Sequence, residues 1–244
     1  MIIEAIENTG RYQTDAIVCM TSWPDRIENV EQTVRSLYNG LFLPKKVVLT
    51  LCEPEFVETA MPYGLQELIN SGKVEVNWIQ KNLKAFKRFI PFIARFTGNE
   101  NTWVVMVDDD KIYGEKFLFH LVMKSMIHPN SVISPDIYPC GYGCLVKPRF
   151  FKDKYLWCGL NQEMCDYIIF ADVWVWANLQ ANKVTVCADS TLIGDIKQTN
   201  DINALNCDYY NRLPEIRKYV SDVFKQRNIL VDLRFKGELK PLRR

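Results

Sequence analysis

What most restricts the folds open to this sequence is an alternation of short apolar runs with amphipathic stretches through its first half. Residues 15–21, 46–51, 74–78 and 103–107 are short, strongly apolar runs that read as strands. Between them, residues 28–38 place Val30, Val34 and Leu37 on one helical face, residues 62–70 form a helix stopped by Gly72, and residues 83–96 read as a third helix. A helix over 115–127 and a short strand over 132–134 follow. Strands alternating with helices over short connections imply right-handed crossovers and a mostly parallel sheet covered on both faces. The fourth strand runs straight into Asp108-Asp109-Asp110. Ligands of open α/β sheets lie just beyond the carboxyl ends of the strands. Three carboxylates there repel one another unless a cation neutralises them. Oxygen-only donors suit Mn2+ or Mg2+, the hard divalent ions that accompany phosphates. Turn or helix-capping chemistry accounts for one Asp at such a place, and much less well for three in succession.

The second half changes character. Residues 135–161 are rich in aromatics and glycine, including Gly141-Tyr142-Gly143, and read as mixed strand and irregular loop beside the sheet. A helix over 172–182, a strand over 184–188 and a loop over 199–214 follow. The simplest organisation is one domain over 1–244, with a nucleotide-binding half at about 14–134, an acceptor-facing half at about 135–213 and a C-terminal tail from 214. That tail is amphipathic over 219–235 and then basic (Arg234, Lys236, Lys240, Arg243 and Arg244), suited to an anionic membrane surface or simply to solvent. A net charge of +1 offers no overall field for nucleic acid. The eight cysteines do not read as a disulfide framework, since Cys19, Cys52 and Cys187 lie in core-like runs and Cys140 and Cys144 lack a completing pair for zinc. Residues 1–9 lack the basic and apolar regions of a secretory leader, and no apolar run approaches a membrane span. A cytoplasmic setting is the expectation, with the tail suited to contact at the inner face of the membrane.

Four segments, in order, carry a resemblance. They are Thr21-Ser22-Trp23-Pro24-Asp25-Arg26-Ile27, Lys87-Arg88 with Ile90-Pro91, Val107-Asp108-Asp109-Asp110-Lys111-Ile112-Tyr113, and Ala171-Asp172-Val173-Trp174. Together, over about residues 16–206, the chain resembles glycosyltransferases of the GT-A fold, closest to bacterial enzymes that build capsular or lipopolysaccharide glycans. The resemblance implies a GT-A-like three-layer α/β/α sandwich on a mostly parallel central sheet. It also implies a metal-dependent transfer of a sugar from a nucleotide-diphosphate donor, a UDP-sugar first, to a hydroxyl of a cell-envelope glycan or lipid-linked acceptor. Asp108 and Asp110 then form the Asp-x-Asp pair on Mn2+ or Mg2+, with Asp108 also near the donor ribose. Asp172 is the general base, although Ala171 stands where relatives carry the first Asp of that motif.

The residues support these roles independently. Thr21, Ser22 and Arg26 follow the first strand, where hydroxyls and a guanidinium can receive a nucleotide. Lys87 and Arg88 put positive charge early in a helix, which opposes the helix dipole unless an anion lies nearby. If the period of two continues past the strand, Asp108 and Asp110 share a side and Asp109 points to the opposite face; the resemblance implies that Asp109, too, binds the nucleotide-sugar. Asp195 and Asp201 are downstream candidates for a further metal contact, Trp157, Trp174 and Trp176 for sugar stacking or core, and His120 and His128 are structural. Two rival readings are a nucleotidyltransferase making nucleotide-sugars, which expects a Gly-rich basic loop where Ser22-Trp23-Pro24-Asp25 stands, and a non-catalytic sugar-binding module.

Overall fold

A computed structural model of the chain describes residues 2–136, 141–152, 160–199 and 211–233. Twelve strands are described: β1 (Ile3–Ile6), β2 (Arg11–Thr14), β3 (Ile17–Thr21), β4 (Phe42–Leu43), β5 (Lys46–Cys52), β6 (Val74–Ile79), β7 (Val104–Met106), β8 (Lys111–Tyr113), β9 (Ser131–Ser134), β10 (Cys144–Val146), β11 (Thr185–Ala188) and β12 (Ile196–Gln198). The described α-helices are α1 (Ile27–Tyr38), α2 (Tyr63–Asn70), α3 (Ile90–Arg95), α4 (Phe117–Ile127), α5 (Gln162–Tyr167), α6 (Ala171–Ala181) and α7 (Leu213–Lys225).

The main sheet has the order β11-β9-β10-β7-β3-β5-β6. Its strands β7, β3, β5 and β6 run parallel, as the strand–helix alternation requires. Their side chains divide between two apolar cores. Cys19, Val48, Val104 and Met106 face a core closed by Ile90, Ile93, Met164, Val173, Trp174, Ile216, Val220 and Phe224. Val18, Met20, Val47, Leu49 and Val105 face a second one closed by Ile27, Val30, Val34, Leu65, Leu68, Phe117 and Leu121. Because β3 and β7 are buried on both faces, their sequences are continuous apolar runs rather than alternating ones.

Several expectations need correction. The GT-A-like three-layer sandwich on one mostly parallel sheet is not what forms, because the strands are divided among three separate sheets and the main one is mixed. β10 is antiparallel to both β7 and β9. The reason is chain length: only residues 135–143 join β9 to β10, fewer than the dozen or so that a parallel crossover needs. A three-stranded sheet, β1-β2-β4, and a two-stranded one, β12-β8, stand apart. The helix expected over 83–96 is two pieces, a 3-10 turn at Lys84–Arg88 and then α3. Pro91 has no N–H to return to the Lys87 carbonyl, so one continuous α-helix cannot run through it. The helical pattern attributed to 219–235 begins earlier, at Leu213, with Pro214 in the first turn where its missing N–H costs nothing.

Among the described residues no helix is long and apolar enough to cross a membrane. Cys19, Cys52, Cys144, Cys165 and Cys187 are free thiols. The basic residues from 234 onward, Cys140, Trp157 and Asp201 lie outside the described residues.

Candidate functional site

The Asp triplet lies just past β7, beside the carboxyl end of β3, and each of its three carboxylates has its own partners. Asp109 is buried, accepting 2.6 Å hydrogen bonds from Ser22 Oγ on Oδ2 and from Arg26 Nη2 on Oδ1. The same Arg26 nitrogen lies 3.0 Å from Asp110 Oδ2, and Lys111 Nζ lies 3.0 Å from Asp110 Oδ1. Asp108 is ion-paired to Arg88 Nη1. Arg88 Nη2 reaches Asp172 Oδ1 at 2.7 Å, across 84 positions of sequence. Four carboxylates thus meet three cations in one cluster.

The backbone of the triplet is clamped from several sides. Thr33 Oγ1, from α1, donates to the Asp109 carbonyl at 2.9 Å. The Thr199 N–H and hydroxyl both donate to the Asp110 carbonyl, at 2.9 and 3.0 Å. The Asp108 N–H donates to Tyr113 Oη at 3.0 Å, and the Tyr113 N–H to Ser36 Oγ at 3.0 Å. The β8–β12 pairing brings Asp195 against Gly114, whose N–H donates to the Asp195 carbonyl at 2.6 Å. A Cβ at Gly114 would lie 2.7 Å from that oxygen, so only glycine permits the approach. Such cross-bracing holds a charged turn in one geometry, which a site must have to act on a reacting group.

Burial and like charge set the protonation energetics. Desolvation pushes the Asp108 carboxyl up to about 7, with Arg88 opposing and the Asp110 charge adding to the rise. Asp109 is pushed up to about 6 by the same cause against Arg26 and the Ser22 hydrogen bond. Burial raises Asp172 too, countered by the charge and hydrogen bond of Arg88. Asp172 sits in the first turn of α6, where the helix dipole favours a negative charge. It is not the helix cap: Phe170 holds that position, and the Asp172 carboxylate turns to Arg88.

The sequence-derived site residues fall into place unevenly. Ser22, Arg26, Arg88, Asp108, Asp109, Asp110 and Asp172 come together in this cluster. Thr21 ends β3 and donates its hydroxyl to the Thr50 carbonyl at 2.8 Å. Lys87 is separate from the cluster, its buried Nζ 2.7 Å from Glu55 Oε2. The anion demanded by a basic first turn is therefore present, but as Glu55, Asp108 and Asp172, and the dipole argument lapses because the long helix does not form. The period of two does not carry past Met106, where β7 ends, so it is Asp109 and Asp110 that share Arg26 while Asp108 turns to Arg88. Glu55, Lys111, Thr33 and Thr199 were missed as partners. Glu55 had a readable signal, since it lies three residues past a parallel strand's carboxyl end.

Other candidates resolve as structure. Trp174 is fully buried and packs edge-on to Phe224, with ring centroids 5.2 Å apart. Gly143 adopts φ +94°, and a Cβ there would meet Phe117 at 3.0 Å and the Met106 carbonyl at 3.1 Å, so this glycine serves the close passage of β10 past β7. His120 stacks edge-on against Phe119, and His128 follows the end of α4, exposed.

The donor set can be tested against a hard divalent cation. Among the described residues no three His, Cys, Asp or Glu side chains converge in metal-holding geometry. Asp108 and Asp110 nevertheless supply oxygen donors in a cluster with one carboxylate in excess, and Mg2+ or Mn2+ is commonly held by one or two carboxylates with phosphates and waters completing the shell. The donor types suit the ion in that mode, with Asp108 and Asp110 here engaged by different cations.

Comparison with solved structures shows where a similar fold recurs. The chain is similar to Staphylococcus aureus TarS 1–349 in complex with UDP, at TM-score 0.52 and 14% identity over 72% of this chain and 58% of that one. It is also similar to the mannosyltransferase PcManGT from Pyrobaculum calidifontis in complex with GDP-Man and Mn2+, at TM-score 0.58 and 10% identity over 90% of this chain and 65% of that one. A complex of TarS 1–349 with UDP-GlcNAc matches at TM-score 0.53 and 12% identity, over 87% and 71%. This chain spans less than two thirds of the first two structures. No protein-family profile and no curated protein matches it. The narrower resemblance, to GT-A-fold capsular or lipopolysaccharide enzymes, is corrected accordingly: the GT-A label fails with the separate, mixed sheets, and what holds is a fold similar to those of TarS and PcManGT.

Proposed function

We propose that the chain is a metal-dependent glycosyltransferase that moves a sugar from a nucleotide-diphosphate donor, a UDP-sugar first, to a hydroxyl of a cell-envelope glycan or lipid-linked acceptor. The observation that carries this reading is the cluster of Asp108, Asp109, Asp110 and Asp172 around Arg26, Arg88 and Lys111 at the carboxyl ends of β3 and β7. The similar folds of TarS, solved with UDP and UDP-GlcNAc, and of PcManGT, solved with GDP-Man and Mn2+, support it.

In this reading Asp108 and Asp110 would hold Mn2+ or Mg2+ on the donor side. When bound, the cation supplies positive charge against the departing diphosphate. Asp109 keeps Arg26 and Ser22 fixed and so sets the shape of the donor side. Asp172 removes the proton from the acceptor hydroxyl as it attacks the anomeric carbon, and its raised pKa makes it a better proton acceptor than an ordinary carboxylate. Lys87 with Glu55 borders the donor side. The chain works in the cytoplasm, and the basic composition from 234 onward suits an anionic membrane surface.

A nucleotidyltransferase is less well supported. Its phosphate loop would occupy 22–26, yet Ser22 and Arg26 are already engaged with Asp109.

A thermal-shift screen of UDP, GDP and their sugars, with and without Mn2+, tests the reading together with an assay of slow donor hydrolysis. Stabilisation that needs both nucleotide and cation, with hydrolysis, is expected. Stabilisation without hydrolysis would indicate a binding module, and no stabilisation by any nucleotide would overturn the proposal.

A further inference from the structure

Arg88 joins the two halves of the site physically. It lies in the 3-10 turn Lys84–Arg88, its guanidinium buried, with Nη1 on Asp108 and Nη2 on Asp172. The two carboxylates come from distant elements, one past the end of β7 and the other in the first turn of α6. They have different tasks in the function proposed above, on which this inference rests: Asp108 serves the donor and Asp172 the acceptor. A guanidinium is a rigid planar fork with a fixed set of donors, so its alignment on one carboxylate constrains its alignment on the other.

We infer that Arg88 is a positioning residue that couples donor binding to the acceptor-side carboxylate. Competition for Asp108 is the working part. A nucleotide held with a divalent cation draws the Asp108 carboxylate away from Arg88, and the guanidinium then aligns on Asp172. Conversely, taking the charge from Asp172 lets Arg88 settle on Asp108 and weakens the hold on the donor. Linkage makes the two effects equal in free energy. This role differs from the diphosphate contact that the paired Lys87-Arg88 suggests in the sequence, and it accounts for a cation shared between two carboxylates and not held open for a ligand.

The test is a double-mutant cycle on the full chain, reading the UDP dissociation constant calorimetrically at saturating Mn2+ for wild type, Asp172→Asn, Arg88→Lys and the double variant. Asp172→Asn is expected to weaken UDP binding at least about fivefold in the Arg88 background, at the low end of ordinary coupling. In the Arg88→Lys background, where a compact ammonium replaces the fork, the same change is expected to have less than about a twofold effect. Equal effects in the two backgrounds would overturn the coupling and leave the transferase reading standing. A wild-type chain that binds neither UDP nor GDP with either cation would overturn the transferase reading and this inference with it. If a variant fails to fold, the wild type still decides: the side-chain 15N resonances of Arg88 must shift on saturation with UDP and Mg2+, and unchanged resonances refute the exchange of partners.

Discussion

Replacing Arg26 with alanine probes the charge arrangement most directly. Arg26 is buried, and one of its nitrogens serves two carboxylates, Asp109 at 2.6 Å and Asp110 at 3.0 Å. Removing one partner of a buried ion pair costs about 3–5 kcal/mol, because the remaining charge is stranded away from water. Each carboxylate here keeps at least one other contact, Ser22 for Asp109 and Lys111 for Asp110, which places the expected loss near the lower end, about 3 kcal/mol. For a chain of this size each kcal/mol moves Tm by about 2–4 °C, so a fall of about 6–12 °C is expected. The loss also depends on pH. Asp109 titrates at about 6 in the folded protein and at about 3.9 in the unfolded chain, so the folded state keeps a proton that the unfolded state releases. Stability from this group is therefore present at low pH and is lost as pH rises from about 4 through 6. Among the influences that lower this pKa, Arg26 is the largest, so the variant's carboxyl moves further up and the loss continues above pH 6. Urea unfolding followed by circular dichroism at pH 4.5 and pH 7 should show the gap between variant and wild type widening with pH. A loss under about 1 kcal/mol at pH 7, well below the cost of a broken buried pair, would refute the argument. So would a gap that does not change with pH.

Three further outcomes are expected. Asp110→Asn should abolish the Mn2+-dependent thermal stabilisation by UDP while leaving the circular dichroism spectrum unchanged, and undiminished stabilisation would remove Asp110 from the metal reading. Asp172→Asn should lower turnover by roughly 10²–10⁴-fold with an accepted acceptor, the usual worth of a general base, and turnover within about twofold of wild type would reduce it to a partner of Arg88. Lys87→Ala should destabilise the fold by about 1–3 kcal/mol by stranding Glu55, and Glu55→Gln in the same chain should recover part of it. A weakened UDP dissociation constant with unchanged stability would make Lys87 a diphosphate contact instead.

The parallel strands were legible because burial on both faces leaves an unmistakable signature. Residues 46–51 were expected as a strand and β5 spans Lys46–Cys52; residues 74–78 were expected and β6 spans Val74–Ile79. Helix α1 likewise buries the Val30, Val34 and Leu37 face that its periodicity marks. Short elements without such a signature were not legible. β8 and β12 are three residues each and exist only through pairing with one another across more than eighty positions. β10 was hidden for a related reason, since its direction follows from the length of chain before it and not from its own residues.

The site was legible in composition and illegible in pairing, and the difference has one physical cause. Residue type shows where charge accumulates: three Asp after a strand, two bases before it, one Asp opening a helix. Which charge meets which is decided by the fold. Arg26 and Asp109 are 83 residues apart, Arg88 and Asp172 84, and Lys87 and Glu55 32. Extrapolating the strand's period of two beyond Met106 grouped Asp108 with Asp110, but a two-residue period persists only while the backbone stays extended, and here a turn intervenes. Likewise, Lys87 and Arg88 look like a single basic pair, yet their ammonium and guanidinium go to different carboxylates on different elements. Neighbours in sequence thus serve separate tasks, and a single guanidinium joins residues from distant parts of the chain. A reading that assigns roles to adjacent charges as a unit will misassign one of them wherever the fold sends their side chains to different partners.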